Sequence, residues 1–496
     1  MKKAIIYSAA CLLALSSCDL DINDDPSYPS ESDITPTLLF PSVQNSLATV
    51  PGDAMFTYSG FFAQYFEQKP EQNQYNDYCE LHFDEATQLF DRCYRNIYAG
   101  ALNDIKDIEG KTTNTANIFA LKVMTALAMQ YMTDCCSDAP YTEACQGSAN
   151  PAPKWDSGES VYKSVLQAMD DAEAAISTSD VMDMTDPMLG KDIDAWKRFA
   201  NALRLRMYMR LIDGGIDAAT YTEKAKAIVA EGNLPTGDVT FDVYSDADGQ
   251  YNPWYECARS LGTNNFCAAH PIVSYYTTTN DPRISYAMSP ASATGQYAGE
   301  LPGAKAMYTN WGSKKLNKDF SEINLTPAHD MPVYIMTLSE VEFLVAEVEL
   351  RFNNNEAAAK AAYEIAVESD FASRGMTGAA TFLTGSKVDF DAQATAADKL
   401  NLIYMQKWVA FFYRNHMEAW SEQRRTDVPK LSSHTAKEIF DNSTVYTPGE
   451  MIAPALNYYG NGDICKRIPY PLTARQLNSN TPAVKSLADR VFWDAK

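Results

Sequence analysis

Positive charge is what this chain has least of. Its 496 residues carry 41 Lys and Arg against 64 Asp and Glu, a formal net charge of −23. No Lys/Arg-rich run offsets the excess, so the surface repels phosphate backbones and a nucleic-acid partner is a poor fit. Histidine is scarcer still. His82, His270, His329, His416 and His434 are scattered, with no H-E-x-x-H and no Cys/His zinc spacing. There is no phosphate-binding glycine loop and no G-x-S-x-G elbow. The ten cysteines contain no C-x-x-C pair. The run Asp246-Ala247-Asp248-Gly249 has the middle of a calcium loop but not its ends. Tyr244 and Tyr255 stand where acids are required, so a polar turn is the better reading. No cofactor or metal is implied. Apart from the twelve residues 4–15, no apolar run approaches the length of a membrane span.

What is there is ordinary globular material, 46% hydrophobic and 21% charged, ample for a large core. The N-terminus reads as a signal peptide over 1–17: Met1-Lys2-Lys3 is the basic region and 4–15 the short apolar one. Leu15-Ser16-Ser17-Cys18 resembles a bacterial lipobox, which implies cleavage before Cys18 and its acylation. Cleavage takes Lys2 and Lys3 away and lowers the net charge from −23 to −25. Residues 18–36 are acidic and rich in Pro and Ser, a flexible tether. The remaining eight cysteines fit buried free thiols, or disulfides such as Cys79–Cys93 and Cys257–Cys267.

Apolar periodicity predicts helices over 84–110, 115–132, 159–176, 194–212 and 222–231, joined by short polar loops and hence paired. Between 38 and 66 apolar and aromatic residues are frequent without a clean period. Helices resume at Thr337, where Thr337-x-x-Glu340 has the capping-box form, and again over 355–369. The densest stretch, 402–429, predicts one long helix, apolar on most sides and therefore interior. Its charged end, Glu418, Glu422, Arg424 and Arg425, reads as internal charge pairing rather than a glycosidase pair. His416 lies on the buried stripe as a core histidine. The expected organisation is a mostly α body over 37–235 and 331–430, a loop-rich insertion at 236–330, and a mixed segment at 431–496.

The insertion concentrates aromatics. Residues 241–311 hold ten Tyr or Trp in 71 positions, twice the chain average, in the part with least regular structure. Tyr and Trp offer a flat apolar face with a polar handle, which suits the C–H face and hydroxyls of a sugar ring. Trp254 and Trp311 are the first candidate ligand contacts. Tyr251, Tyr308, Tyr75 and Tyr78 follow, each set beside Asn, Gln or Asp.

Several segments together resemble the SusD/RagB family of outer-membrane lipoproteins: WKRFANALRLRMYMRL at 196–211, SDAPYTEA at 137–144, MPVYIMTLSEVEFLVAEVELR at 331–351, KWVAFFYRNHMEAWSEQRRTDVPKL at 407–431 and RIPYPLTARQLN at 467–478. Ala474 departs from the acid the family tends to place after Tyr470-Pro471. The resemblance implies tetratricopeptide-like helix pairs, although no 34-residue period is visible. It also implies a non-catalytic lipoprotein on the outer face of the outer membrane. Such a protein binds oligosaccharide and delivers it to a SusC-like, TonB-dependent transporter. The acids behind Cys18 (Asp19, Asp21, Asp24, Asp25) resemble the export signal of Bacteroidetes surface lipoproteins. Three other functions stay open: a peptide-capturing protein beside the same type of transporter, a structural subunit without a ligand, and a surface hydrolase.

Overall fold

The computed structural model describes residues 34–84, 86–260, 264–458, 462–483 and 485–496. The signal peptide, Cys18 and most of the tether lie outside the described residues. The segment without a clean period forms two helices, α1 (Pro36–Gly52) and α2 (Ala54–Phe62). Nearly every residue of α2 is buried, so no polar face exists to create a period. Strand β1 (Phe66–Gln68) follows. The helix expected over 84–110 is broken into α3 (Asp91–Arg95), a π-helical turn (Asn96–Leu102) and α4 (Asn103–Lys111). The turn packs on α1. A Cβ at Gly100 would sit 2.6 Å from the Ser46 hydroxyl, so only glycine allows that approach.

Paired helices make up the body: α5 (Thr115–Cys136) on α6 (Gly158–Ala174), and α7 (Ile193–Asp213) on α8 (Ala218–Glu231). Asn114 and Asp192 cap α5 and α7 by accepting from backbone N–H groups of the first turn. The expected insertion opens on β2 (Val239–Phe241). It continues through α9 (Pro253–Ser260), β3 (Phe266–Ala268), α10 (His270–Thr279), α11 (Ile284–Ala287), β4 (Met288–Ser289) and β5 (Glu322–Ile323). Strand β6 (Val333–Met336) pairs antiparallel with β2, tying the two ends of this excursion together. Far from structureless, the segment contributes three strands to a four-stranded antiparallel sheet of order β1-β3-β5-β4. Trp254, Tyr275, Tyr276 and Tyr308 are buried there, so part of the aromatic surplus is packing.

The second part of the body pairs α12 (Leu338–Arg351) with α13 (Glu356–Ser373). Only half of the expected capping box forms. The Thr337 hydroxyl accepts from Glu340 N–H at 3.0 Å, but the Glu340 carboxylate turns inward to Arg206 at 2.7 Å. The single helix expected at 402–429 is two: α14 (Ala396–Phe411) on α12, and α15 (His416–Thr426) on α2. The break is at Tyr413, whose φ is 64°. Asn415 restarts the helix by accepting from Glu418 N–H at 3.0 Å. The interior reading holds, since every residue from Leu402 to Thr426 is buried.

The charges on α15 are internal. Glu418 meets Arg210, Glu422 lies 2.8 Å from Lys407, and Arg425 reaches Glu422 and Glu347 at 2.7 Å each. Burial alone would raise the Glu347 carboxyl, yet Arg425 and Arg351 hold it down at about 2. Arg424 is the exception to charge pairing. It donates to the Asp134 and Lys466 carbonyls and lies 3.6 Å over the Trp420 ring. His416 is the expected core histidine. Its Nδ1 is 2.8 Å from the Phe56 carbonyl, and its Nε2 accepts from Tyr413 N–H at 3.1 Å. All eight described cysteines are free.

Candidate functional site

Side chains alternate across a strand, and the short β4 and β5 show it. Met288 and Ile323 are buried, while Ser289 and Glu322, directly opposite each other, face out. These outward residues form the floor shared by two adjoining clefts, of about 950 and 520 Å³. Asp246, Tyr255, Asn264, Asn324, Thr326, His329 and Asp330 complete the larger one. Glu71, Asn317, Lys318 and Phe320 help line the smaller. Together they form a groove along the sheet edge, and the larger cleft alone has room for a small ligand.

Helix α9 sets the aromatic wall. Asn252 is buried and caps it, accepting from Trp254 N–H at 2.9 Å while its amide donates to the Met331 carbonyl at 2.7 Å. Successive helical residues point about 100° apart, so Trp254 and Tyr255 take opposite fates. Trp254 is fully buried, with ring centroids 5.0 Å from Phe56, 5.9 Å from Phe266 and 5.7 Å from Tyr413. It anchors α9 to the body and, as folded, presents no face to a ligand. Tyr255, not among the six candidate contacts, is half-buried on the cleft wall. Tyr251 meets Tyr255 at 5.4 Å, and both rings lie 4.7 Å from His329. His329 Nε2 is 3.1 Å from Asp246.

The other candidates fall into two groups. Tyr75 is buried, stacked 5.3 Å from Phe266, and its hydroxyl is 3.7 Å from the Cys257 thiol at the far end of α9. Half-buried Tyr78 stacks on Tyr58 at 4.4 Å. This loop is pinned by Lys305, which donates to Asn73 and Asn76 at 2.8 and 3.0 Å. Tyr308 and Trp311 belong to a separate apolar cluster that includes Cys267, Phe320 and Phe440. Tyr308 is buried, 6.1 Å from Phe320 of the smaller cleft. Trp311 keeps part of its surface and lies 5.1 Å from Phe440. Sequence proximity to Asn and Gln therefore did not bring the six rings to one place. Trp254 lies on the buried face of α9, while Tyr308 and Trp311 lie in turns that pack the separate cluster. The polar half of the groove (Ser289, Glu322, Asn324, Thr326) carries no sequence signal of its own.

Across the sheet from Glu322, on the same face, the Cys267 thiol donates to buried Glu300 at 3.0 Å, and burial raises the Glu300 carboxyl to about 8. Glu67, which accepts from Gly303 N–H, is likewise pushed up by burial. Among the described residues no group of three His, Cys, Asp or Glu is placed to hold a metal, and no helix is long and apolar enough to cross a membrane.

Known proteins place this architecture. A SusD-like protein from Bacteroides thetaiotaomicron is 20% identical with a TM-score of 0.71, covering 93% of this chain and 99% of its own. A chitin-binding SusD homologue from Flavobacterium johnsoniae is 21% identical with a TM-score of 0.69, covering 93% and 97%. A SusD homologue from Bacteroides uniformis is 20% identical with a TM-score of 0.70, covering 92% and 99%. At these identities the likeness concerns the fold. No curated protein matches the chain. A family profile described as starch-binding proteins associating with the outer membrane matches residues 29–448, and the chain thus belongs to the SusD-like family.

Proposed function

We propose that this protein is a non-catalytic surface lipoprotein, anchored through Cys18, that captures oligosaccharide in the groove over β4 and β5 and passes it to a SusC-like, TonB-dependent transporter. The observation that carries the reading is the 950 Å³ cleft lined by Tyr255 and His329, with Tyr251 packed against both rings, together with Ser289, Asn324 and Thr326. A ring face stacks on the C–H face of a sugar, and the amides and hydroxyls opposite meet its hydroxyls. Family membership supports the glycan class, and one structural relative is named as chitin-binding. An open site of this kind binds in the millimolar to micromolar range, weak enough for release to a transporter. Tyr78 and Trp311 are partly exposed but line neither cleft.

Titration of the mature protein with neutral hexasaccharides tests this. Tyr255→Ala should weaken binding about tenfold, close to the value of one stacked ring, with unfolding unchanged. Absence of binding to any glycan, or product release from a polysaccharide over hours, would overturn the proposal. Co-purification with a transporter from solubilised outer membranes tests the delivery step.

A further inference from the structure

We infer, resting on the glycan reading above, that the cleft selects glycans bearing free primary amines and turns away those bearing carboxylates. Its ionic lining is one-sided. Asp246, Glu322 and Asp330 all line it, while among the described residues no Lys or Arg does. Two basic side chains reach these acids, and each is already engaged: His329 with Asp246 at 3.1 Å, and buried Lys69 with Glu322 at 2.8 Å. Asp330 is exposed at the rim with no hydrogen bond or ion pair to a described residue.

The second feature is independent of the acids. Three aromatic rings, Tyr251, Tyr255 and His329, meet within 4.7–5.4 Å of one another beside them. An aromatic face next to a carboxylate is the pairing that recognises an ammonium group, through the ring quadrupole and the opposite charge together. A neutral sugar uses the rings and the amides but leaves Asp330 without a counterion. A uronic acid would set its carboxylate against three others, with no Lys or Arg among the described lining residues to receive it. The chain's net charge, −25 once the signal peptide is gone, adds repulsion at longer range.

Four β-1,4 or α-1,4 hexasaccharides of equal length separate the possibilities: glucosamine, N-acetylglucosamine, glucose and galacturonic acid. They are titrated into the mature protein in slightly acid buffer, where the free amines are protonated. The glucosamine hexamer should bind about tenfold tighter than the two neutral hexamers in low salt, and that advantage should shrink in about 0.5 M salt. The galacturonate hexamer should not bind. Asp330→Asn should cut the affinity for the glucosamine hexamer about two- to fivefold, the worth of one exposed ion pair, and so narrow its advantage over the neutral hexamers. Equal binding of amine and neutral hexamers, or binding of the galacturonate, would overturn the charge selection and leave glycan capture standing. Silence from all four would overturn both.

Discussion

His416 makes the stability of this fold depend on pH in a way that can be isolated. The side chain is fully buried and stacked 3.7 Å from Phe56. Its two ring nitrogens serve one donor and one acceptor, the Tyr413 N–H and the Phe56 carbonyl. Only the neutral imidazole fits both. Burial lowers its pKa from the usual 6.5 to about 3; the Phe56 carbonyl opposes that shift and the Arg374 cation adds to it. Below pH 6.5 the unfolded chain therefore binds a proton that the folded one refuses, and stability falls as pH falls. At 1.36 kcal/mol per unit, acidification from pH 7 to 5 costs about 2 kcal/mol through this residue alone. Other buried groups titrate too. Glu300, raised by burial to about 8, stabilises on acidification and partly masks the effect, while His270, lowered by burial to about 4, adds to it. His416→Gln keeps a donor and an acceptor but cannot titrate. Urea unfolding of both proteins across pH 5–7 supplies the comparison. The variant should start less stable, and its deficit should shrink by about 2 kcal/mol by pH 5. A deficit that stays constant across the window would refute the neutral, doubly bonded imidazole.

Three further outcomes follow from the same geometry. Arg425→Lys replaces a fork that bonds Glu347 and Glu422 at 2.7–2.9 Å, and also reaches Asp213, with a single ammonium. It should lower unfolding free energy by about 3 kcal/mol and leave glycan titrations unchanged. Trp254→Ala removes a ring buried between α2, β1 and β3 and should cost about 3–5 kcal/mol by urea unfolding; weaker glycan binding at full stability would instead return Trp254 to the ligand surface. Thiol titration of the denatured mature protein in non-reducing buffer should count eight reactive cysteines, as the eight free thiols require, and a count of four or fewer would mean disulfides.

The paired helices were legible because they are amphipathic: α6 and α7 start and end within two residues of the expected positions. Legibility failed where burial is complete. Helix α2 has no polar face to mark a period, and α1 carries Pro41 and Pro51 inside it. The break between α14 and α15 falls at the end of the apolar run 408–413, and Asn415-His416-Met417-Glu418 after it is an N-cap signal present in the sequence. At the groove, aromatic content marks the segment that contributes to the larger cleft, but the buried Trp254 and the cleft-lining Tyr255 are told apart only by the helical phase of α9. Likewise Glu322 differs from Ile323 by one position on a two-residue strand, a register that composition does not encode.

The body and the groove obey different physics, and that difference explains how one architecture carries a separable ligand choice. Around α15 nearly every polar atom is buried with a specific partner, so a substitution there leaves a charge stranded at several kcal/mol. The groove is built on strands two or three residues long and on the exposed ends of loops. Its polar lining is half-exposed, and an exchange such as Asp330→Asn removes no buried partner, so stability hardly responds. The groove is nevertheless not loose. Asn252 and Trp254 fasten α9 from beneath, and Lys305 fastens the loop that carries Tyr75 and Tyr78. The rings are held by the core while the charges beside them are free to differ. On the proposed glycan reading, selectivity can therefore be altered at Asp330 without rebuilding the stacking wall, whereas Asp246 holds His329, Glu322 holds buried Lys69, and a change at Trp254 or Asn252 alters the wall and the fold together.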